Sequence, residues 1–399
     1  MGGISRFNAT INLTKGFLGA GFLTIPFASA QVGLLVATSG LLVVALVNSL
    51  GVARYVQCDA LEKYMSLGND AAEKRDADEP EGVLGLGHAA DACQRALGRF
   101  GVYVCATSIL MAQIGTIVAY TTAIVETLAH LNVSTWITLS ALGVCYFILS
   151  LLRDMQDIGI VSSVAILVYV AILTLLVEDG WERISADGIA NGILAPRMGL
   201  GVWLGMTIFS FEGCNTAVFV YRAMELPRET DNSLRPFWEA LMISYGFGLV
   251  LYLFVTIFGL FSYGLDVQEL VYFNFHSSSA VAASQVTLCL ILTLTFPLQS
   301  VPALSFIDAV FTPVPYTMRR LIFVGFILIT TRMVPNVSTV TSLVGSVGFG
   351  TSGFVLPALC HWYLAGPWQK QQYSQCALDI ILGSIGVVAI AMGIHDTFA

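Results

Sequence analysis

Residues 12–31 are apolar enough to enter a bilayer, yet they make a poor continuous helix. Gly16, Gly19 and Gly21 weaken the backbone, and Pro26 lacks the amide hydrogen that would bond the carbonyl of Phe22. A membrane helix interrupted in this way leaves backbone polar groups without partners. Such groups are tolerated at membrane depth only where they face protein, water or a bound solute. Two readings follow. Either a solute is held at the break near the bilayer midplane, or the glycines let neighbouring helices pack closely.

Hydrophobic residues make up 56% of the chain and charged residues 11%, against about 25% charged in a soluble domain. The chain is therefore expected to cross a membrane many times. Eleven apolar spans are expected, over 8–31, 34–56, 99–128, 134–152, 158–177, 200–222, 237–264, 282–306, 319–334, 338–363 and 376–397. The first lacks a strongly basic leader and reads as a retained helix. All 399 residues form one transmembrane domain, with a partly disordered polar loop at 57–98. The net charge of −8 sits mostly in loops, and no basic or aromatic stripe suits a nucleic acid. Cys58, Cys93, Cys105, Cys145, Cys214, Cys289, Cys360 and Cys376 are scattered without a C-x-x-C pair. They read as packing residues, with no disulfide framework, metal site or cofactor expected.

With the N-terminus cytoplasmic, nearly all Lys and Arg fall inside. Arg183, Arg197 and Arg332 fall outside, and Lys15 lies within a span. The positive-inside rule asks for this asymmetry, and it puts the C-terminus outside. The charged run 69–81 reads as a solvated linker, and residues 87–98 as an amphipathic helix. The connection 178–199 is acidic and extracytoplasmic. Asn132 and Asn336 head glycosylation sequons very near the membrane.

Glu212 sits in the middle of the sixth span, where a carboxylate must be protonated, paired or wet. It serves either a substrate site, proton handling or gating, or a structural hydrogen bond between helices. Lys15 is a structural cation, an ion-pair partner of Glu212, or a side chain reaching back to the cytoplasm. Thr293 and Thr295, beside Pro297, either offer hydroxyls to an ion or bond their own helix. The sixth span, like the first, has polar residues and a glycine at its centre. Two interrupted spans, each opening a set of five, are the expected trace of an inverted repeat, and the eleventh span lies outside it. Gly348-Phe349-Gly350-Thr351-Ser352-Gly353 fits G-x-G-x-x-G but lies in an apolar span, which argues against a dinucleotide site. No catalytic set is recognisable, so an enzyme is not expected.

Lys15-Gly16-Phe17-Leu18-Gly19-Ala20-Gly21-Phe22-Leu23-Thr24-Ile25-Pro26-Phe27-Ala28 resembles the first helix of the amino acid/auxin permease family of the APC superfamily. Within that family the Lys-Gly pair is most similar to the proton-coupled amino acid transporters. Phe209-Ser210-Phe211-Glu212-Gly213 resembles the F-x-F-E-G of their sixth helix. Residues 292–302, Val334-Pro335-Asn336 and Leu356-Pro357 resemble the eighth and tenth helices. The resemblance implies an all-α, LeuT-like 5+5 inverted repeat plus an eleventh helix. It also implies secondary transport of an amino acid, proton-coupled or ion-independent, with access alternating between the two faces. The substrate carboxylate would bond amides near Gly19, Ala20 and Gly21, at a positive helix end. Its ammonium would meet carbonyls around Phe209, Ser210 and Phe211, and the two phenylalanines would either close over it or serve as packing. Lys15 stands where sodium-coupled relatives tend to have Asn, which argues against sodium. Animal proton-coupled members carry a histidine three residues before this lysine. Here Asn12 stands there and cannot titrate, so Glu212 or another group would handle the proton. The membrane implied is the plasma membrane or an endolysosomal or vacuolar one. The alternative is a sensor of the same fold that binds an amino acid without flux.

Overall fold

Apolar runs form the helices, and several of them carry proline within: Pro26, Pro297 and Pro302 all lie inside helices. The computed structural model describes residues 5–17, 21–67, 88–151, 158–194, 199–214, 217, 220, 221, 224, 235–334, 336–365 and 373–398. Over the first expected span the described residues form α1 (Arg6–Phe17) and α2 (Gly21–Ala30), with Gly16 near the end of one and Gly21 opening the other. Gly33, in the left-handed region at φ 81°, turns the chain into α3 (Leu34–Leu67). That helix runs well past the expected boundary at 56, because the residues that follow keep a helix-forming composition.

In α4 (His88–His130), Gly98 at φ 64° separates a short leading helix from the apolar span, at the boundary expected from sequence. Then come α5 (Thr135–Leu151), α6 (Ile158–Asp187) and α7 (Leu200–Ser210). They are followed by α8 (Arg235–Tyr263), α9 (Ser279–Val310) and α10 (Tyr316–Met333). Next is α11 (Val337–Ala365), and the chain closes on α12 (Tyr373–Phe398). Each of the eleven expected spans has a helical counterpart here. Among the described residues, six helices are long and apolar enough to cross a membrane: α3, α4, α8, α9, α11 and α12. The charged run 69–81 lies outside the described residues.

α11 departs from a regular helix. It holds two wide π-type stretches, Val344–Phe349 and Thr351–Val355. Stretches of this kind are rare and concentrate at functional sites. They lie where α11 meets α7 at backbone contact. A Cβ on Gly345 would stand 1.8 Å from the carbonyl oxygen of Gly205, and one on Gly205 would stand 2.3 Å from that of Ser342. No side chain larger than hydrogen fits this crossing.

Polar groups inside the bundle mostly bond their own helices, as a lipid solvent demands. Thr116 donates to Ala112 O, Thr122 to Val118 O and Thr331 to Ile327 O. Among the described residues, buried charges have charged or titratable partners. Arg54 Nε of α3 lies 2.6 Å from Asp379 Oδ1 of α12, whose Oδ2 lies 2.7 Å from His361 Nδ1 of α11. All three are at most 5% exposed. Arg320 meets Asp308 with both guanidinium nitrogens, at 3.0 and 2.5 Å, and donates from Nε to Ser150 O, tying α10 to α9 and α5.

Removing one partner of a buried pair strands the other charge, at a cost of about 3–5 kcal/mol, whereas apolar replacement of both is close to neutral. Arg54→Ala, which leaves Asp379 with His361 alone, is therefore expected to lower the melting temperature of the detergent-purified protein, and Arg54→Met with Asp379→Leu and His361→Leu to recover most of it. Thermal melts of the three proteins check this.

Candidate functional site

The two interruptions meet. Gly21, the first residue of α2, backs onto the last residue of α7: a Cβ there would lie 2.2 Å from Ser210 Oγ and 2.7 Å from Ser210 Cα. This position is glycine because another helix end occupies the space a side chain would need. α7 stops at Ser210, where the amide of Phe211 folds back to Thr207 O, and Glu212 and Gly213 are non-helical. The carbonyls exposed by that stop are capped from α8. Tyr252 Oη donates to Ser210 O at 2.9 Å and Tyr245 Oη to Phe211 O at 3.4 Å.

A small cavity lies at this meeting point. Gly16, Gly21, Phe209, Ser210 and Glu212 line it from the two breaks, Thr116 and Tyr120 from α4, Gln299 from α9 and Phe349 from α11. Its volume is about 30 Å³, far below the roughly 300–1,000 Å³ of a pocket that holds a small-molecule ligand. Phe209 and Phe349 stand side by side on its wall, with ring centroids 5.9 Å apart. An amino acid fits only after these helices part.

The expected site residues distribute unevenly around this cavity. Gly21, Phe209, Ser210 and Glu212 line it. Phe211 does not, which corrects the expectation that it closes over a solute. Its ring is fully buried against α8, edge-on to Tyr252 at 4.9 Å and stacked near Tyr245 at 6.3 Å. Ser210 O and Phe211 O, expected to meet an ammonium, already accept from tyrosines, although a carbonyl has a second lone pair. Thr293 and Thr295 bond their own helix, at Cys289 O and Ile291 O, 2.8 Å each, and are not among the lining residues. Asn12 lies on an exposed part of α1. Lys15 is in α1 with its side chain outside the described residues, as are Gly19 and Ala20 altogether.

Sequence reasoning did not single out Tyr120, Thr116, Gln299 and Phe349. A helical stripe of Gln113, Thr116 and Tyr120 was the available signal on α4. On α9 it was the amide of Gln299, two residues after Pro297.

A second polar cluster closes the end of the bundle where α6 meets the α8–α9 connection. Asp179 accepts from the His276 amide at 2.7 Å, its ring Nδ1 at 2.5 Å, Tyr263 Oη at 2.7 Å and Arg183 Nε at 3.1 Å. Burial pushes the Asp179 carboxyl up, but the amide, ring, hydroxyl and guanidinium together hold it below the usual range. Glu269, in the same connection, accepts from Ser338 N and Oγ at the start of α11, and Glu126 of α4 accepts from Val337 N. Burial raises Glu269 above the usual glutamate value, although the Ser338 donors oppose it.

A raised carboxyl favours the folded state when protonated. The Glu269 contribution is thus fully present below about pH 4.5, the ordinary glutamate value, and fades as pH rises through the raised one. Glu269→Gln is expected to flatten the change in melting temperature between pH 4.5 and 7. Parallel melts of variant and wild type across that interval, about 4.5 to 7, measure it.

A family model described as "Transmembrane amino acid transporter protein" matches residues 2–399. Amino acid transporter AVT3B of Arabidopsis thaliana is 25% identical over 99% of this chain and 92% of its own length. Vacuolar amino acid transporter 3 of Schizosaccharomyces pombe is also 25% identical, over all of this chain and 58% of the relative. Among solved structures, the Eremococcus coleocola manganese transporter superposes with a TM-score of 0.57 at 12% identity, covering 99% of this chain and 88% of that one. A likeness at that identity speaks for the fold, a LeuT-like bundle.

Proposed function

The chain belongs to the transmembrane amino acid transporter protein family, and we propose that it is a secondary active carrier of amino acids. Access alternates between the two faces of the membrane around the α1–α2 break and the end of α7. The observation that carries this reading is the contact of Gly21 with Ser210, which joins both interruptions at one cavity lined by Glu212, Tyr120 and Gln299. The inverted repeat opens at α1 and again at α7, with α12 outside it. The N-terminus is cytoplasmic, which places the Asp179 and Glu269 cluster on the opposite face.

The substrate sits between the breaks. Its carboxylate bonds the amides at Gly19, Ala20 and Gly21, its ammonium faces the negative end of α7 at Phe209 and Ser210, and Phe209 with Phe349 walls it in. A cavity this small supports an occluded arrangement that opens by movement of helices. Glu212 is the ionisable group placed to handle a proton, since Asn12 cannot, while Lys15 takes the place of a sodium ion. Thr293 and Thr295 act only through the shape of α9 beside Pro297. The name of the yeast relative supports a vacuole-like membrane, where a proton gradient is at hand.

Uptake of labelled amino acids into proteoliposomes tests the reading, and absence of uptake across a full panel overturns it. Gly21→Val, which drives two methyl groups into Ser210, is expected to abolish uptake while the protein still reaches the membrane; wild-type uptake would remove the site. Glu212→Gln is expected to flatten the dependence of uptake on pH between about 5 and 8. An unchanged profile would take Glu212 out of coupling.

A further inference from the structure

α7 is a short helix with two ends to hold. It has 11 residues, roughly 16 Å of length, and too few turns to stand by itself. Its pocket end is held by Gly21 and Tyr252. Its other end has no cap in its own sequence, since Gly199 stands at the cap position and no side chain there bonds the first turn. The missing acceptor comes from far along the chain. Asp396, in the last turn of α12, accepts the amide of Gly201 with Oδ2 at 2.7 Å, a carboxylate at the positive end of the helix. Gly201 is glycine for the same reason: a Cβ would lie 2.3 Å from Met392 O on the α12 backbone.

α12 is fixed to α11 as firmly. A Cβ on Gly393 would stand 2.2 Å from Ser346 Oγ, and one on Gly386 would stand 2.7 Å from Val355 Cγ2. Ser342 Oγ and Thr397 Oγ1 are 3.4 Å apart, and His361 reaches Asp379 at the opposite end. α11 in turn meets α7 at Gly205 and Gly345. Three helices are thus joined pairwise at backbone distance, with Asp396 the one charged side chain described at the seat of α7.

We propose that Asp396 is a positioning residue for transport. By seating the N-terminus of α7 it sets where Phe209 and Ser210 stand at the pocket, and α12 moves as one body with α7 and α11. The idea rests on the carrier reading above and goes beyond it, since it gives the helix outside the repeat a working part.

The test uses the full chain in proteoliposomes and the amino acid that wild type takes up fastest from a labelled panel. Asp396→Ala is expected to raise KM about fivefold to tenfold, the effect of losing a cap and its charge, with at most a small fall in melting temperature. Asp396→Asn, which keeps an acceptor oxygen, is expected to restore most of the affinity. A KM equal to wild type, or a loss of rate alone in step with a lower melting temperature, overturns the proposal. Ser342→Cys with Thr397→Cys, oxidised to a cross-link verified by peptide mass spectrometry, is expected to leave uptake intact. Uptake that stops on cross-linking and resumes on reduction means that α12 slides on α11, and overturns the single body. Amide hydrogen exchange in the first turn of α7 reads the seat without flux. It is expected to quicken in Asp396→Ala, and unchanged exchange overturns the proposal even if wild type carries nothing.

Discussion

A lipid solvent offers no hydrogen bonds, so every backbone group freed by a broken helix must find its partner inside the protein. This structure answers that demand around α7 with specific side chains. At the pocket end, Tyr252 and Tyr245 donate to Ser210 O and Phe211 O. At the other, Asp396 accepts from Gly201. Thr24 donates back to Gly21 O at the start of α2. The interruptions cost little where these partners exist, and the helix ends they create carry partial charges suited to a zwitterion.

Closeness is the second requirement. Gly21 on Ser210, Gly201 on Met392, Gly345 on Gly205 and Gly393 on Ser346 bring four pairs of segments nearer than any side chain allows. These contacts replace a hydrophobic driving force, which is weak between helices already in lipid. They also transmit displacement, since backbones in contact cannot slip by rotating a side chain. The small cavity is what remains where such surfaces meet imperfectly.

Much of this was legible in the sequence. The apolar runs located the eleven spans, and Gly16 and Gly21 lie at the facing ends of the described helices α1 and α2, while Pro26 lies inside α2. Phe209 to Gly213 marked the second. What could not be read were contacts between residues distant in the chain. Tyr120 and Phe349 are ordinary membrane-span residues until α4 and α11 bring them to the cavity. Phe211 looked like a lid because its pattern was local, whereas its direction is set by two tyrosines of α8. Nothing in the sequence singled out Asp396, because nothing local says that a helix 195 residues earlier lacks a cap.

The wide turns of α11 carry one further consequence. Each holds about one residue more than an ordinary turn, an angular offset of roughly 100° per residue. A wheel diagram drawn evenly from Val337 would therefore point everything beyond Val355 the wrong way, His361 included. The meeting of His361 with Asp379 depends on that extra winding, and a single deletion between 344 and 355 would swing the imidazole away from its carboxylate and undo a tie far from the gap.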